Sequence, residues 1–110
     1  MAGVGNVATW CSPLKNIIKP PHNRYMFLAD PIDQWKAEKV IGNNQLTLVA
    51  VYHSHPNGGT DLSRFDRECI VGSRLMSVIL AFDASQSDVS SVAAYQWTGG
   101  SIGRVDVTFD

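Results

Sequence analysis

The chain has 110 residues, 45% of them hydrophobic and 17% charged, a composition that excludes disorder as the default and fits one domain with a modest core. Its formal net charge is −1, its sequence pI about 6.2, and no basic stripe appears, so nucleic acid is not an expected partner. The apolar stretches are strand-length, far short of the roughly 20 residues that span a bilayer, and no leader pattern is visible, so no membrane association and a cytoplasmic location are expected.

In chain order, Val4 to Trp10 alternates loosely and predicts a strand. Pro13 to Asn23 holds Pro13, Pro20 and Pro21, which predicts an extended loop, and Arg24 to Ala29 reads as a short strand. Asp30-Pro31 opens a helix, with Asp30 as N-cap, Pro31 at the first position and Asp33 in the first turn. Ile32, Trp35, Lys39 and Val40 give it a narrow buried stripe, and Gly42 with Asn43-Asn44 ends it. Leu46 to His53 is apolar on both faces, the pattern of a central strand.

The loop from Ser54 to Leu62 carries Pro56-Asn57-Gly58-Gly59, a dense run of turn residues. Ser63 caps a second helix reaching about Gly72, with Phe65, Cys69 and Ile70 inward. Leu75 to Phe82 predicts a buried strand, and Val89 to Trp97 with Ile102 to Phe109, joined by Gly99-Gly100, a terminal hairpin. The order β-β-α-β-α-β-β-β describes an α/β fold, a mixed β-sheet with flanking helices, in a single domain over 1–110. Cys11 and Cys69 match no metal or redox spacing and are expected as buried, reduced thiols.

His53 and His55, two apart at the end of an apolar strand, point to the same side of the sheet. A carboxylate from the next helix, Asp66, would complete three ligands with one position open, the coordination of a catalytic zinc. Ser63-x-x-Asp66 equally reads as a capping box, and the two readings are compatible. His22 sits in the proline-rich loop without ligand spacing and is expected to be solvated. Gly58 and Gly59 lack the lysine and the strand–loop–helix pattern of a phosphate loop. Trp10, Trp35 and Trp97 are read as packing or interface residues, and Tyr52 and Tyr95 as strand residues without a clear role.

His53-x-His55-Pro56, followed by Ser63-x-x-Asp66, resembles the JAMM (MPN+, Mov34-type) metalloprotease motif. The segments Pro13-Leu14-Lys15-Asn16, Arg24-Tyr25-Met26-Phe27 and Asp30-Pro31 look like the stretch preceding that motif in small bacterial members, and Leu75 to Tyr95 like the strands that follow. The resemblance implies a deaminase-like α/β/α architecture and a zinc hydrolase with His53, His55 and Asp66 as metal ligands. It also implies that Ser63 donates to the developing oxyanion, and that the substrate is an amide bond, in a peptide or at the tail of a ubiquitin-like or sulfur-carrier protein.

One family feature is missing. Members carry a glutamate on an N-terminal strand as general base, whereas residues 1–29 contain no carboxylate. Glu38 and Glu68 do not occupy that place, because Glu68 is turned about 200° from Asp66 on a helix. An N-terminally short chain, a base from a second chain, a substitute such as Glu38, and a lost activity all remain open. A sheet edge left uncovered by a missing strand would pair with a second copy, as a homodimer. The rival reading is a catalytically impaired zinc-binding module that docks a ubiquitin-like or partner protein. A zinc deaminase is disfavoured, since Cys11 and Cys69 lack its paired-cysteine spacing.

Overall fold

The first strand expected from the sequence is in fact two. In the computed structural model, which describes residues 1–5, 7–24, 26–55, 59–82 and 88–108, β1 (Ala2–Val4) and β2 (Val7–Trp10) pair antiparallel. Gly5 turns the chain after β1 at φ 61°, a left-handed conformation that suits a residue without Cβ. β3 (Thr47–Leu48) pairs with the other side of β1, giving the order β2-β1-β3. This sheet belongs to the first of two compact units, Met1–Val49 and Ala50–Asp110.

The strand expected over Arg24 to Ala29 does not form. His22–Arg24 is a 3-10 turn with His22 exposed, Tyr25 lies outside the described residues, and Ala29 makes an isolated bridge with Asn16. The adjoining proline-rich segment cannot offer an unbroken row of N–H donors, and the Asn16 side chain takes over part of the pairing. Its Oδ1 accepts from the N–H groups of Ile18 (3.0 Å) and Leu28 (3.1 Å), while Nδ2 donates to the Met26 carbonyl at 3.0 Å.

The first helix, α1 (Pro31–Asn43), begins as expected: Asp30 Oδ1 accepts from the Ile32 N–H at 2.9 Å, and proline opens the first turn. Asp30→Ala should therefore cost about 1 kcal/mol of stability, measured as a lower denaturant midpoint at unchanged slope. Its apolar stripe is a correction. Among the described residues of α1 none is buried; Ile32 is 64% and Trp35 54% exposed, and the Lys39 ammonium lies 4.2 Å from the Trp35 ring centroid. Within this stripe the Trp35 ring is covered by the Lys39 ammonium in a cation–π contact rather than by burial. Beyond Gly42, the Asn44 side chain donates to the Val40 carbonyl at 2.8 Å and closes the helix.

Leu46 to His53, expected as one central strand, divides at Val49. Thr47–Leu48 goes to the first sheet, whereas β4 (Ala50–His55) starts a second one of order β4-β5-β6-β7. β4 runs parallel to β5 (Met76–Phe82), and β5, β6 (Val89–Thr98) and β7 (Ser101–Val105) are antiparallel in turn. β5 and β6, rather than β4, are the interior strands of this sheet. Ile79 is fully buried and Val78, Ala81, Ala93 and Ala94 pack as core, whereas Val51 of β4 is 42% exposed. The hairpin forms as expected: Gly99 and Gly100 take φ 58° and 83°, the positive values a two-residue primed turn demands. β7 ends at Val105, and Phe109 lies outside the described residues.

Parallel strands cannot be joined by a hairpin, so the chain crosses from β4 to β5 through a loop and the helix α2 (Arg64–Ile70). Ile70 of α2 is buried and Phe65 half-buried. Cys69 is exposed, as is Cys11, and both are free, which corrects the expectation of buried thiols. The architecture is thus an α/β fold with a mixed sheet and helices, as the sequence order implied. Among the described residues no helix is long and apolar enough to cross a membrane.

Candidate metal centre

The crossover builds the site. A helix that follows a strand in a parallel crossover starts near that strand's carboxyl end, and here β4 finishes with His53 and His55 while α2 begins at Arg64. Ser63 is the N-cap. Its Oγ accepts from the Asp66 N–H at 3.1 Å, and Asp66 Oδ2 accepts from the Ser63 N–H at 2.9 Å, a complete capping box. The cap locks Asp66 with its carboxylate turned toward the two imidazoles. His53 Nε2 lies 2.9 Å from Asp66 Oδ1, and His55 Nε2 lies 3.1 Å from Oδ2. The two Nε2 atoms are 3.3 Å apart. Pro56, Asn57 and Gly58 of the intervening loop lie outside the described residues.

Protonation decides what these atoms can do. His55 Nδ1 faces the Gly59 carbonyl at 3.1 Å, and a carbonyl only accepts, so Nδ1 carries the hydrogen. In the neutral ring Nε2 then presents a lone pair to Asp66 and His53. Burial lowers the pKa of His53 against the raising pull of Asp66, with His55 adding to the lowering. Asp66 is itself only 3% exposed. The His55 Nε2 lone pair thus faces a carboxylate oxygen in a part-buried place, an arrangement that a cation between the two would stabilise.

The donor set fits such a cation. His53, His55 and Asp66 form the group of potential ligands found among the described residues, each offering one atom within 4.8 Å of the others. Ligands at roughly 2.0–2.1 Å in a tetrahedral zinc site sit about 3.3 Å from one another, close to the separations of 2.9, 3.1 and 3.3 Å. Two imidazole nitrogens and one carboxylate oxygen are a usual catalytic zinc set, with a fourth position left over.

The other acidic candidates have partners of their own. Glu68 is 65% exposed and pairs with Arg64 one turn back, Nε to Oε1 at 3.4 Å. Glu38, on α1, accepts from Gln34 Nε2 at 3.3 Å in the first unit. The Cys69 thiol pKa is pushed up, first by partial desolvation and then by the carboxylates Asp66 and Glu68, so this cysteine is not an activated nucleophile. Two participants escaped the sequence reading. The Gly59 carbonyl orients His55, and the Tyr95 hydroxyl donates to the neighbouring Thr60 carbonyl at 2.8 Å. A backbone acceptor leaves no residue-type signal; the run of turn residues around Gly59 was the nearest hint.

The profile of the prokaryotic homologs of the JAB domain matches residues 4–95, across both compact units. A curated relative from Thermus thermophilus is described as a probable TtuB-protein conjugate cleaving protease. It is 46% identical over 46 residues, which make up 42% of this chain and 30% of that relative, so the alignment spans under a third of its length.

Proposed function

This chain belongs to the prokaryotic homologs of the JAB domain, and from that premise we propose that it is a zinc-dependent peptidase or isopeptidase cleaving an amide bond at the tail of a ubiquitin-like or sulfur-carrier protein. The observation that carries the reading is the convergence of His53, His55 and Asp66 beside an exposed serine N-cap. The name of the Thermus relative supports the substrate class, since it describes a protein-conjugate cleaving protease. A family match running through both units supports treating 1–110 as one domain. A cytoplasmic location belongs to the same reading.

His53 and His55 would hold the metal through Nε2, and Asp66 through its carboxylate. Zinc bound there would supply Lewis acidity and an acidified water, with a pKa of roughly 7. The protein's own contribution is orientation. The capping box fixes Asp66, and the Gly59 carbonyl fixes the His55 ring, so neither must reorganise when substrate arrives. The Ser63 Oγ already accepts from Asp66 N–H, which leaves its own hydrogen to donate. That hydrogen is directed to the oxygen of the amide carbonyl as negative charge develops on it.

A second reading has an observation in its favour: Glu68, the glutamate that follows Asp66 on α2, is 65% exposed and paired with Arg64, not poised to take the proton of an attacking water. A module that keeps the metal and docks a ubiquitin-like tail without cutting it would need no such base. Loss of a general base costs about 10²–10⁴ in rate, so the two readings predict different turnovers. The decisive experiment incubates the zinc-loaded chain with a ubiquitin-like protein fused through its C-terminus to a reporter, with and without chelator. Chelator-sensitive release of the reporter supports the hydrolase; tight binding of the fusion without release supports the docking module.

A further inference from the structure

We propose that Tyr95 is a positioning residue for the metal centre: its hydroxyl holds the 59–60 loop so that the Gly59 carbonyl selects the ring nitrogen His55 offers to the cation. The inference rests on the reading of His53, His55 and Asp66 as metal ligands, and it concerns a residue far from them in sequence.

Strand register puts Tyr95 on the right side. His53 is level with Ile79, and Ile79 with Ala93, so these three share a sheet face. Tyr95 is two residues beyond Ala93 and therefore shares it, one rung over, opposite Ser77. Ser77 and Ala93, the neighbours of Tyr95 on this face, are small residues. The half-buried Tyr95 hydroxyl donates to the Thr60 carbonyl at 2.8 Å. The carbonyl one residue earlier, that of Gly59, accepts from His55 Nδ1 at 3.1 Å. Among the described residues a Cβ at Gly59 would meet only Asp61 N, at 3.9 Å, so no side-chain packing at this position holds the carbonyl. The tyrosine supplies the restraint that glycine lacks.

Without that restraint the Gly59 carbonyl would wander, and the neutral His55 ring would no longer be committed to the Nδ1–H form. A ring with its hydrogen on Nε2 cannot ligate through that nitrogen. A direct partner of a metal-bound histidine, as the Gly59 carbonyl would be, is worth about 10–100-fold in metal affinity, and loosening that carbonyl forfeits part of it.

The test compares Tyr95→Phe with wild type and with His53→Ala by zinc titration, and follows the His55 ring nitrogens by long-range ¹H–¹⁵N spectra of the zinc-free proteins. Tyr95→Phe is expected to bind zinc more weakly, by up to about 10-fold, the lower end of the cost for a direct partner, and to show His55 as a mixture of ring forms, where wild type shows Nδ1–H. A merely structural tyrosine would lower the melting temperature and leave the ring signals alone. Unchanged affinity and ring signals in Tyr95→Phe, with uptake abolished in His53→Ala, overturn the positioning role alone. Full uptake by His53→Ala removes the metal reading and this inference with it. If Tyr95→Phe does not fold, zinc-free wild type decides: His55 protonated on Nε2 overturns the proposal, and on Nδ1 supports it.

Discussion

Asp66→Asn is expected to abolish stoichiometric zinc uptake while leaving the fold standing. Asp66 has two separable jobs, because its carboxylate accepts from the Ser63 N–H at 2.9 Å and also lies 2.9 and 3.1 Å from the two ring nitrogens. An asparagine oxygen can still accept from Ser63, so the cap survives within about 1 kcal/mol. It cannot supply the negative charge that a divalent cation needs in this part-buried place. Loss of a direct ligand should exceed the roughly 10–100-fold cost typical of outer partners, leaving no measurable binding at micromolar zinc. Asp66→Ala should lose uptake equally and stability in addition, since it removes an acceptor from Ser63 N–H as well. Calorimetric titration with zinc and denaturant melts on both variants separate the two jobs. Wild-type affinity in Asp66→Asn would show that the carboxylate caps a helix and nothing more.

Ser63→Gly should lower turnover by about 10²–10³, the usual effect of deleting one oxyanion donor, with zinc uptake and stability almost unchanged. The choice of glycine matters. Serine to alanine at an N-cap costs about 1 kcal/mol, whereas serine to glycine costs only a few tenths, so a slow Ser63→Gly cannot be blamed on a frayed helix. Metal binding should persist because Asp66 is held through the Ser63 backbone N–H, which every one of these variants keeps. Ser63→Thr, which retains both the hydroxyl and the cap, should recover most of the rate. Steady-state cleavage of the fusion substrate, with metal content assayed on the same samples, reads all three. If Ser63→Gly turns over like wild type, the serine is only a cap.

These predictions draw on features of unequal legibility. Asp30-Pro31, Ser63-x-x-Asp66 and Gly99-Gly100 are local signals, each satisfied by atoms within about one turn of chain, and each forms as its residues imply. The two histidines share a sheet face by strand periodicity alone, whatever the strand pairs with. Where the outcome needed a distant partner, local pattern fell short. Nothing within Leu46 to His53 tells that Thr47–Leu48 pairs with β1 while Ala50–His55 pairs in parallel with β5. Arg24 to Ala29 has strand-like residues, yet its neighbouring segment offers proline and an asparagine side chain in place of a ladder. The stripe of α1 is apolar in sequence, and its exposure depends on what packs near it.

By itself, then, the sequence determined which side chains can ligate, which residue caps the helix that carries the third, and the family to which the chain belongs. Only the tertiary structure decided the distances of 2.9 to 3.3 Å among the candidate ligand atoms and the ring form of His55 that the Gly59 carbonyl favours. The division has a physical cause. Residue identity fixes donor chemistry and local hydrogen bonding, whereas the position of a backbone carbonyl at Gly59, or of a hydroxyl from Tyr95, follows from contacts across 4 and 35 residues of chain that no periodicity encodes.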